Sequence, residues 1–369
     1  MRVIVTGGGT GGHIYPALAI AQGIVAQGTE HKILYVGTRE SMEAHLVPEH
    51  GFDFAAVSGQ GLPRKLNAET FKVIGKSFKA LWETKKILKD FHPDLIVGTG
   101  GYVSGPVVLT GAMAGIPTIL HEQNALPGIT NRTLSHLVRR VLLTFPESKA
   151  HFGNKKKLMV VGLPVRSEIG RVSREEGAKH FGLRPDRPTI LVTGGSRGAR
   201  TLNKAMVSVL QALADRPEVQ VIWATGKVTY EETLDALKAG SVSFERPNWR
   251  IMEYLSDMPE AYACADLFVG RAGAATLAEL AVAGKPGILI PYPFAAENHQ
   301  EYNARAVVKA GAARMILDKD LTGDKLRQEV ESLLTNGAEL GKMSEAAVKL
   351  AKPHALEEIV KTCLEVGWH

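Results

Sequence analysis

The tetrapeptide VTGG occurs twice, at residues 5–8 and 192–195. Each copy ends a short apolar run and opens a glycine-rich turn that leads into a helical pattern. A strand feeding such a turn begins a doubly wound α/β domain, which binds ligands at the carboxyl ends of its strands. One copy in each half predicts two such domains in tandem. The runs RVIVT, KILYV, FAAV, DLIVG, PTIL, RVLLT and LMVVG fill the first half; TILVTGG, VQVIWAT, WRIM, DLFVG, PGILIP and ARMIL fill the second. Their alternation with helical patterns predicts parallel sheets covered on both faces. A chain of 369 residues is long enough for two cores. The segment GLPVRSEIGRVSREEG, residues 162–177, breaks the pattern with a proline and many charges. The boundary is therefore expected near Gly162–Pro164. The first domain is 1–163, joined by a C-terminal helix at about 350–369 that follows Pro353, and the second is 164–349.

Composition excludes several classes. Hydrophobic residues at 45% and charged residues at 22% describe a folded chain. The two cysteines, Cys264 and Cys363, show no Cys-x-x-Cys spacing, which argues against a disulfide scaffold and a structural zinc. The net charge of +6 suggests an anionic partner: a phosphorylated ligand, an anionic membrane or a nucleic acid. The opening MRVIVTGGG is too short an apolar run for a signal peptide. Residues 95–120 carry no charge, but six glycines with Pro106 and Pro117 cut them into strand, turn, helix and strand. They read as a buried β–α–β unit, not a membrane span.

The first turn, GGGTGGH at residues 7–13, is a candidate anion site, because unpaired N–H groups at a helix start face outward and the helix dipole favours negative charge. Gly7, Gly9 and Gly12 satisfy G-x-G-x-x-G, yet the second strand, KILYVGTRE, lacks the acidic residue a dinucleotide ribose requires. His13 stands where a P-loop needs lysine, and the GKS at 75–77 lies inside a helical pattern. A purely structural tight turn is the remaining alternative. His13, at the first helical turn, is either a proton acceptor beside the anion site or a histidine bonded to a neighbouring strand.

GGGTGGHIYPALAIA, GTGGYVSGP, HEQNALPG, GLPVR, GGSRGA and RAGAATLAELAVAGKP follow one another in this order. Together they resemble the lipid-linked N-acetylglucosaminyltransferases of peptidoglycan synthesis. The resemblance implies the GT-B fold, two Rossmann-like domains facing across a cleft, with the lipid acceptor on the first and the sugar nucleotide on the second. It implies inverting transfer of N-acetylglucosamine from UDP-N-acetylglucosamine to the C4 hydroxyl of the muramyl sugar in undecaprenyl-pyrophosphoryl-N-acetylmuramyl-pentapeptide. On the donor side it assigns Arg166 and Ser196 to the diphosphate, the backbone of Leu255 to uracil, and Ala274, Ala275 and Thr276 to phosphate and sugar. Glu279 takes the ribose hydroxyls, and Gln300 and Asn303 the sugar hydroxyls; His299 stands where the family often has glutamine. On the acceptor side it assigns Thr10, Gly11, Gly12, Tyr102 and Asn124, with His13 and Glu122 as the two candidate bases. No cofactor is required, magnesium entering only as a companion of substrate. The single D-x-D, Asp318-Lys319-Asp320, reads as an ordinary acidic helix start.

Residues 64–89 place Phe71, Ile74, Phe78, Leu81 and Trp82 at helical spacing among Lys72, Lys76 and Lys79. This is either a membrane-surface helix or a core-packing helix with a solvated lysine face. The resemblance favours the first and implies peripheral attachment to the anionic cytoplasmic face of the bacterial membrane. Nucleic acid is the poorer partner, since no recognition motif accompanies the basic residues. Competing readings are a sugar-nucleotide 2-epimerase, which needs no lipid acceptor, and a non-catalytic sugar-nucleotide-binding subunit, which needs no His13, Glu122 and Asn124. A nicotinamide-dependent oxidoreductase ranks last.

Overall fold

A computed structural model describes residues 1–59 and 68–368, with side chains from Lys79 onward in the helix Ala68–Phe91. The chain divides into two compact units, Met1–Pro164 with His354–His369, and Val165–Pro353.

The first unit contains β1 (Arg2–Thr6), β2 (Lys32–Gly37), β3 (Asp53–Ala56), β4 (Leu95–Gly98), β5 (Thr118–Glu122), β6 (Arg140–Leu143) and β7 (Leu158–Val160). They form one parallel sheet in the order β3-β2-β1-β4-β5-β6-β7. The second contains β8 (Thr189–Thr193), β9 (Gln220–Ala224), β10 (Trp249–Met252), β11 (Leu267–Gly270), β12 (Gly287–Leu289) and β13 (Ala313–Met315), ordered β10-β9-β8-β11-β12-β13. Each sheet reverses direction beside its first strand, which leaves a crevice at the carboxyl ends where both VTGG turns emerge. Every apolar run named above carries one of these strands.

Alternate residues of β1 serve opposite faces, which is why its pattern is continuously apolar. Val3 and Val5 pack with the helices Gly11–Val25 and Ala355–Gly367, whereas Ile4 packs with Val107 and Val108 of the helix Ser104–Met113. The C-terminal helix lies close to Gly23, where an added Cβ would sit 2.7 Å from Val360. Residues 95–120 form β4, the helix Ser104–Met113 and the start of β5. Among the described residues no helix is long and apolar enough to cross a membrane.

Candidate active site

In the first unit the glycine turn is fastened at its base and open at its tip. The Tyr35 hydroxyl donates to the Gly7 carbonyl at 2.5 Å. The buried Glu43 carboxylate accepts from the Thr38 N–H (3.2 Å), the Thr38 hydroxyl (2.9 Å) and the Gly9 N–H (3.5 Å). Gly101, at φ +82°, lets the loop after β4 approach so closely that a Cβ there would overlap the Gly8 carbonyl. Gly9, Thr10 and Gly12 remain exposed. Thr10 caps the helix in extended conformation, its carbonyl accepting from the N–H groups of His13 and Ile14. First-turn N–H groups have no partner within the helix, so Gly11 and Gly12 aim donors at the open tip. Tyr102 flanks Gly9 and shares a hydroxyl contact of 3.2 Å with Ser41.

The half-buried His13 brings Nδ1 within 3.0 Å of both the Thr99 carbonyl and Gln123 Oε1. A carbonyl can only accept, so Nδ1 carries the proton in the neutral ring and Nε2 carries the lone pair. His13 therefore bonds a neighbouring strand end through Nδ1, an arrangement compatible with either reading of this residue.

Glu122, the other candidate base, is only 1% exposed. Its carboxylate accepts from the Asn124 N–H (2.9 Å), Asn124 Nδ2 (3.3 Å), the Gly128 N–H (3.2 Å) and Asn131 Nδ2 (2.8 Å). Burial raises its pKa to about 6, against the downward pull of those hydrogen bonds. These contacts make Glu122 the tie that folds HEQNALPG back onto the end of β5. Asn124 belongs to that tie. Next to it His121 is fully buried, and burial lowers its pKa to about 4.

The second unit holds an open cavity of about 960 Å³ at the carboxyl ends of its strands, a size that suits a nucleotide sugar. Arg166, Ser196, Leu255, Thr276, Glu279 and Gln300 all line it. The turn after β8 reaches positive φ at Gly195 (+87°) and Gly198 (+85°), and the Gly195 N–H donates to Thr193 Oγ1 at 3.2 Å. A Cβ on Gly198 would overlap the Thr225 carbonyl and the Thr229 hydroxyl. Ser196 is exposed at the tip, ahead of the helix Arg200–Leu213. Arg166 donates through Nε (3.2 Å) and Nη2 (3.1 Å) to Glu279 Oε1, and the Tyr262 hydroxyl donates to Oε2 at 3.1 Å. Glu279 Oε1 thus takes two donors, while Oε2 takes one and retains further acceptor capacity. Burial raises the Tyr262 pKa, reinforced by the Glu279 carboxylate, so its hydroxyl stays a donor.

Three of the expected donor-side residues, Ala274, Ala275 and Asn303, are not among those that line this cavity. Asn303 is fully buried and donates to the Ala272 carbonyl at 3.5 Å, in the turn before the helix Ala274–Ala283. Ala274 and Ala275 begin that helix, but the cavity wall is formed by Gly273 and Thr276 around them. Gln300 accepts from the Tyr292 N–H at 3.0 Å, while the His299 ring bonds the Ala296 carbonyl. Asp318 is more than an acidic helix start: it lines the cavity, pairs with Arg271 and accepts from the Thr201 hydroxyl at 2.7 Å.

Glu43, Gln123, Tyr262 and Arg271 escape sequence reasoning. Each acts through a partner distant in the chain, and none sits in a pattern that names the partner. Only the strand-end position of Gln123, just after β5, was a readable signal.

Of the membrane-facing expectations, the side chains of Phe71, Lys72, Ile74, Lys76 and Phe78 lie outside the described residues. Trp82 is 68% exposed, and Lys79, Lys85, Lys86 and Lys89 also face solvent, while Ala80, Thr84 and Leu88 pack inward. Leu81 is half-buried.

Family models match both units: the glycosyltransferase family 28 N-terminal domain over residues 3–143 and the family 28 C-terminal domain over residues 189–359. A UDP-N-acetylglucosamine--N-acetylmuramyl-(pentapeptide) pyrophosphoryl-undecaprenol N-acetylglucosamine transferase from Desulfitobacterium hafniense (strain Y51) is 68% identical over 368 residues, covering 100% of both chains. The crystal structure of MurG from Acinetobacter baumannii superposes with a TM-score of 0.80 at 30% identity, covering 99% of each chain. A UDP-GlcNAc 2-epimerase from Neisseria meningitidis, bound to UDP-GlcNAc, gives 0.69 at 16% identity over 99% of this chain and 100% of its own. At that identity the likeness is one of fold alone. Two Rossmann-like units with matching models in order, and a full-length relative at this identity, establish that the chain belongs to glycosyltransferase family 28.

Proposed function

We propose that this chain transfers N-acetylglucosamine from UDP-N-acetylglucosamine to the C4 hydroxyl of the muramyl sugar in undecaprenyl-pyrophosphoryl-N-acetylmuramyl-pentapeptide. The observation that carries the reading is the full-length relative at 68% identity that bears this activity in its name. The second unit takes the donor and the first the acceptor. Uracil pairs with the main chain at Leu255, ribose bonds Glu279, and the diphosphate meets Ser196, Thr276 and Arg166. Asn303 acts from behind, holding the Ala272–Gly273 turn; Ala274 and Ala275 contribute backbone.

In the reaction the acceptor oxygen attacks the anomeric carbon as its proton passes to His13 Nε2. The bond from that carbon to the diphosphate oxygen breaks on the opposite face, which inverts the stereochemistry. Negative charge grows on the departing UDP, where Arg166 and helix-start N–H groups stabilise it without a resident metal. Thr10, Gly11 and Gly12 face the acceptor sugar or its diphosphate, and Tyr102 and Asn124 border them. His13 is preferred to Glu122 as the base because the Glu122 carboxylate is buried and already accepts from Asn124, Gly128 and Asn131.

The deciding assay supplies labelled UDP-N-acetylglucosamine and a shortened-chain lipid-linked muramyl-pentapeptide, with and without chelator. Label in the lipid product, undiminished by chelator, is expected. N-acetylmannosamine without lipid labelling would replace this reading with the epimerase. The reading includes peripheral attachment at the cytoplasmic face of the bacterial membrane, supported by exposed Trp82 among lysines. Reversing Lys79, Lys85 and Lys86 to glutamate should weaken binding to anionic vesicles roughly a hundredfold, less at high salt, taking about 1 kcal/mol per lysine. Unchanged binding would remove this face from the membrane contact.

A further inference from the structure

The geometry points to Gln123 as a positioning residue for His13, an inference that rests on His13 being the proton acceptor. Side-chain and main-chain groups of Gly162, His121, Gln123, His13 and Thr99 form one chain of hydrogen bonds whose polarity has a single solution. His121 Nε2 lies 2.9 Å from the Gly162 carbonyl, which cannot donate, so Nε2 carries the His121 proton and Nδ1 accepts. Gln123 Nε2 lies 3.0 Å from that Nδ1 and 2.9 Å from the His121 carbonyl. Two acceptors on one side fix the amide orientation, so Gln123 Oε1 must face His13 Nδ1, at 3.0 Å. The Thr99 carbonyl faces the same nitrogen.

His13 with its proton on Nε2 would set the Nδ1 lone pair against two oxygens at once. The arrangement excludes that tautomer and leaves Nε2 basic, the state the transfer requires. Gln123 is 2% exposed and His121 is fully buried, so neither touches substrate and both act through His13. Burial keeps His121 neutral, which preserves the polarity of the chain. The Gly162 carbonyl that starts it lies just ahead of the boundary at Pro164.

The test combines long-range proton–nitrogen spectra of histidine-labelled full-length protein, with His13 assigned by a His13→Gln variant, and transfer kinetics. Wild-type His13 should show the Nδ1–H tautomer alone when neutral. Gln123→Met should populate Nε2–H and lower kcat by about ten- to a hundredfold, part of the usual contribution of a general base, with KM for UDP-N-acetylglucosamine unchanged. Adding Gln123→Met to His13→Ala should lower turnover no further. A dominant Nε2–H signal in the wild type overturns the inference even if no variant folds. So does a Gln123→Met protein with unchanged tautomer and kcat, or a full additional loss in the double variant. Full turnover in His13→Ala would instead overturn the base assignment and leave the tautomer result standing.

Discussion

The two VTGG turns start from the same four residues and are built for different work. The first is buried at Gly7 and Gly8, tied to Tyr35 and Glu43, and delivers a histidine whose ring is held by groups about a hundred residues away. The second is mostly exposed, bonds its own Thr193, and delivers a serine and a helix start to a cavity wall. Both depend on a glycine from another loop at the point of closest approach, Gly101 in the first unit and Gly226 in the second. In either unit a strand, a glycine turn and a helix start leave N–H donors facing outward. Only the first places a histidine at its helix start, with Thr99 and Gln123 beside its ring.

The sharpest way to break the comparison is His13→Ala. Turnover should fall by about 10²- to 10⁴-fold, with donor KM unchanged. A rise in donor KM without loss of kcat would assign the first turn to donor binding. Next in size is Gly198→Val, which forces a branched side chain into positive φ and into the Thr225–Thr229 loop. The second unit should lose about 3 kcal/mol or more in denaturant unfolding. Gly12→Ala is the counterpart in the first turn, since its Cβ would meet nothing nearer than Thr10 Oγ1 at 3.7 Å. Stability there should change by less than about 1 kcal/mol, so any loss of turnover would report on ligand approach.

The pH dependence of the first unit sharpens the contrast further. His121 has its pKa lowered to about 4, so its contribution is complete above the ordinary 6.5 and is lost as pH falls toward 4, about 3 kcal/mol in all. Glu122 has its pKa raised to about 6, so its contribution is present below 4.5 and is lost as pH rises through 6, about 2 kcal/mol. The neighbours therefore offset each other. Glu122→Gln should make hydrogen-exchange protection of β5 fall more steeply between pH 6.5 and 4 than in the wild type. A parallel profile would mean that Glu122 does not titrate in this range. The smallest expected effect is in the second unit: Glu279→Gln keeps one acceptor, and should raise donor KM by about tenfold, near 1.4 kcal/mol, with little change in kcat.

Sequence reading was strongest where the signal is local. RVIVT, TILVTGG and the other apolar runs name their own strands, because continuous burial demands continuous apolar residues. Ser196, Thr276 and Glu279 were placed on the donor side by the family resemblance, and all three line the cavity. The burial of Asn303 was not legible: its motif names a helix, but which face of that helix is covered depends on the Ala272 loop. Asp318 looked like a helix-start acid until the fold brought Arg271 and Thr201 to it. In the described part of the helix Ala68–Phe91, periodicity left open whether Trp82 packs inward or faces outward, and the fold exposes it while Thr84 and Leu88 pack inward.

By itself the sequence determined two parallel α/β units, where their glycine turns fall, and which residue types stand at each turn. These follow from periodicity and backbone freedom over a few neighbouring residues. Only the tertiary structure decided which nitrogen of His13 keeps its lone pair, that Glu122 ties a loop, and that Arg166 rests on Glu279. Those outcomes depend on pairs such as His13–Gln123, 110 residues apart, and Arg166–Glu279, 113 apart. The order in which strands assemble brings such pairs together, and no local pattern encodes it.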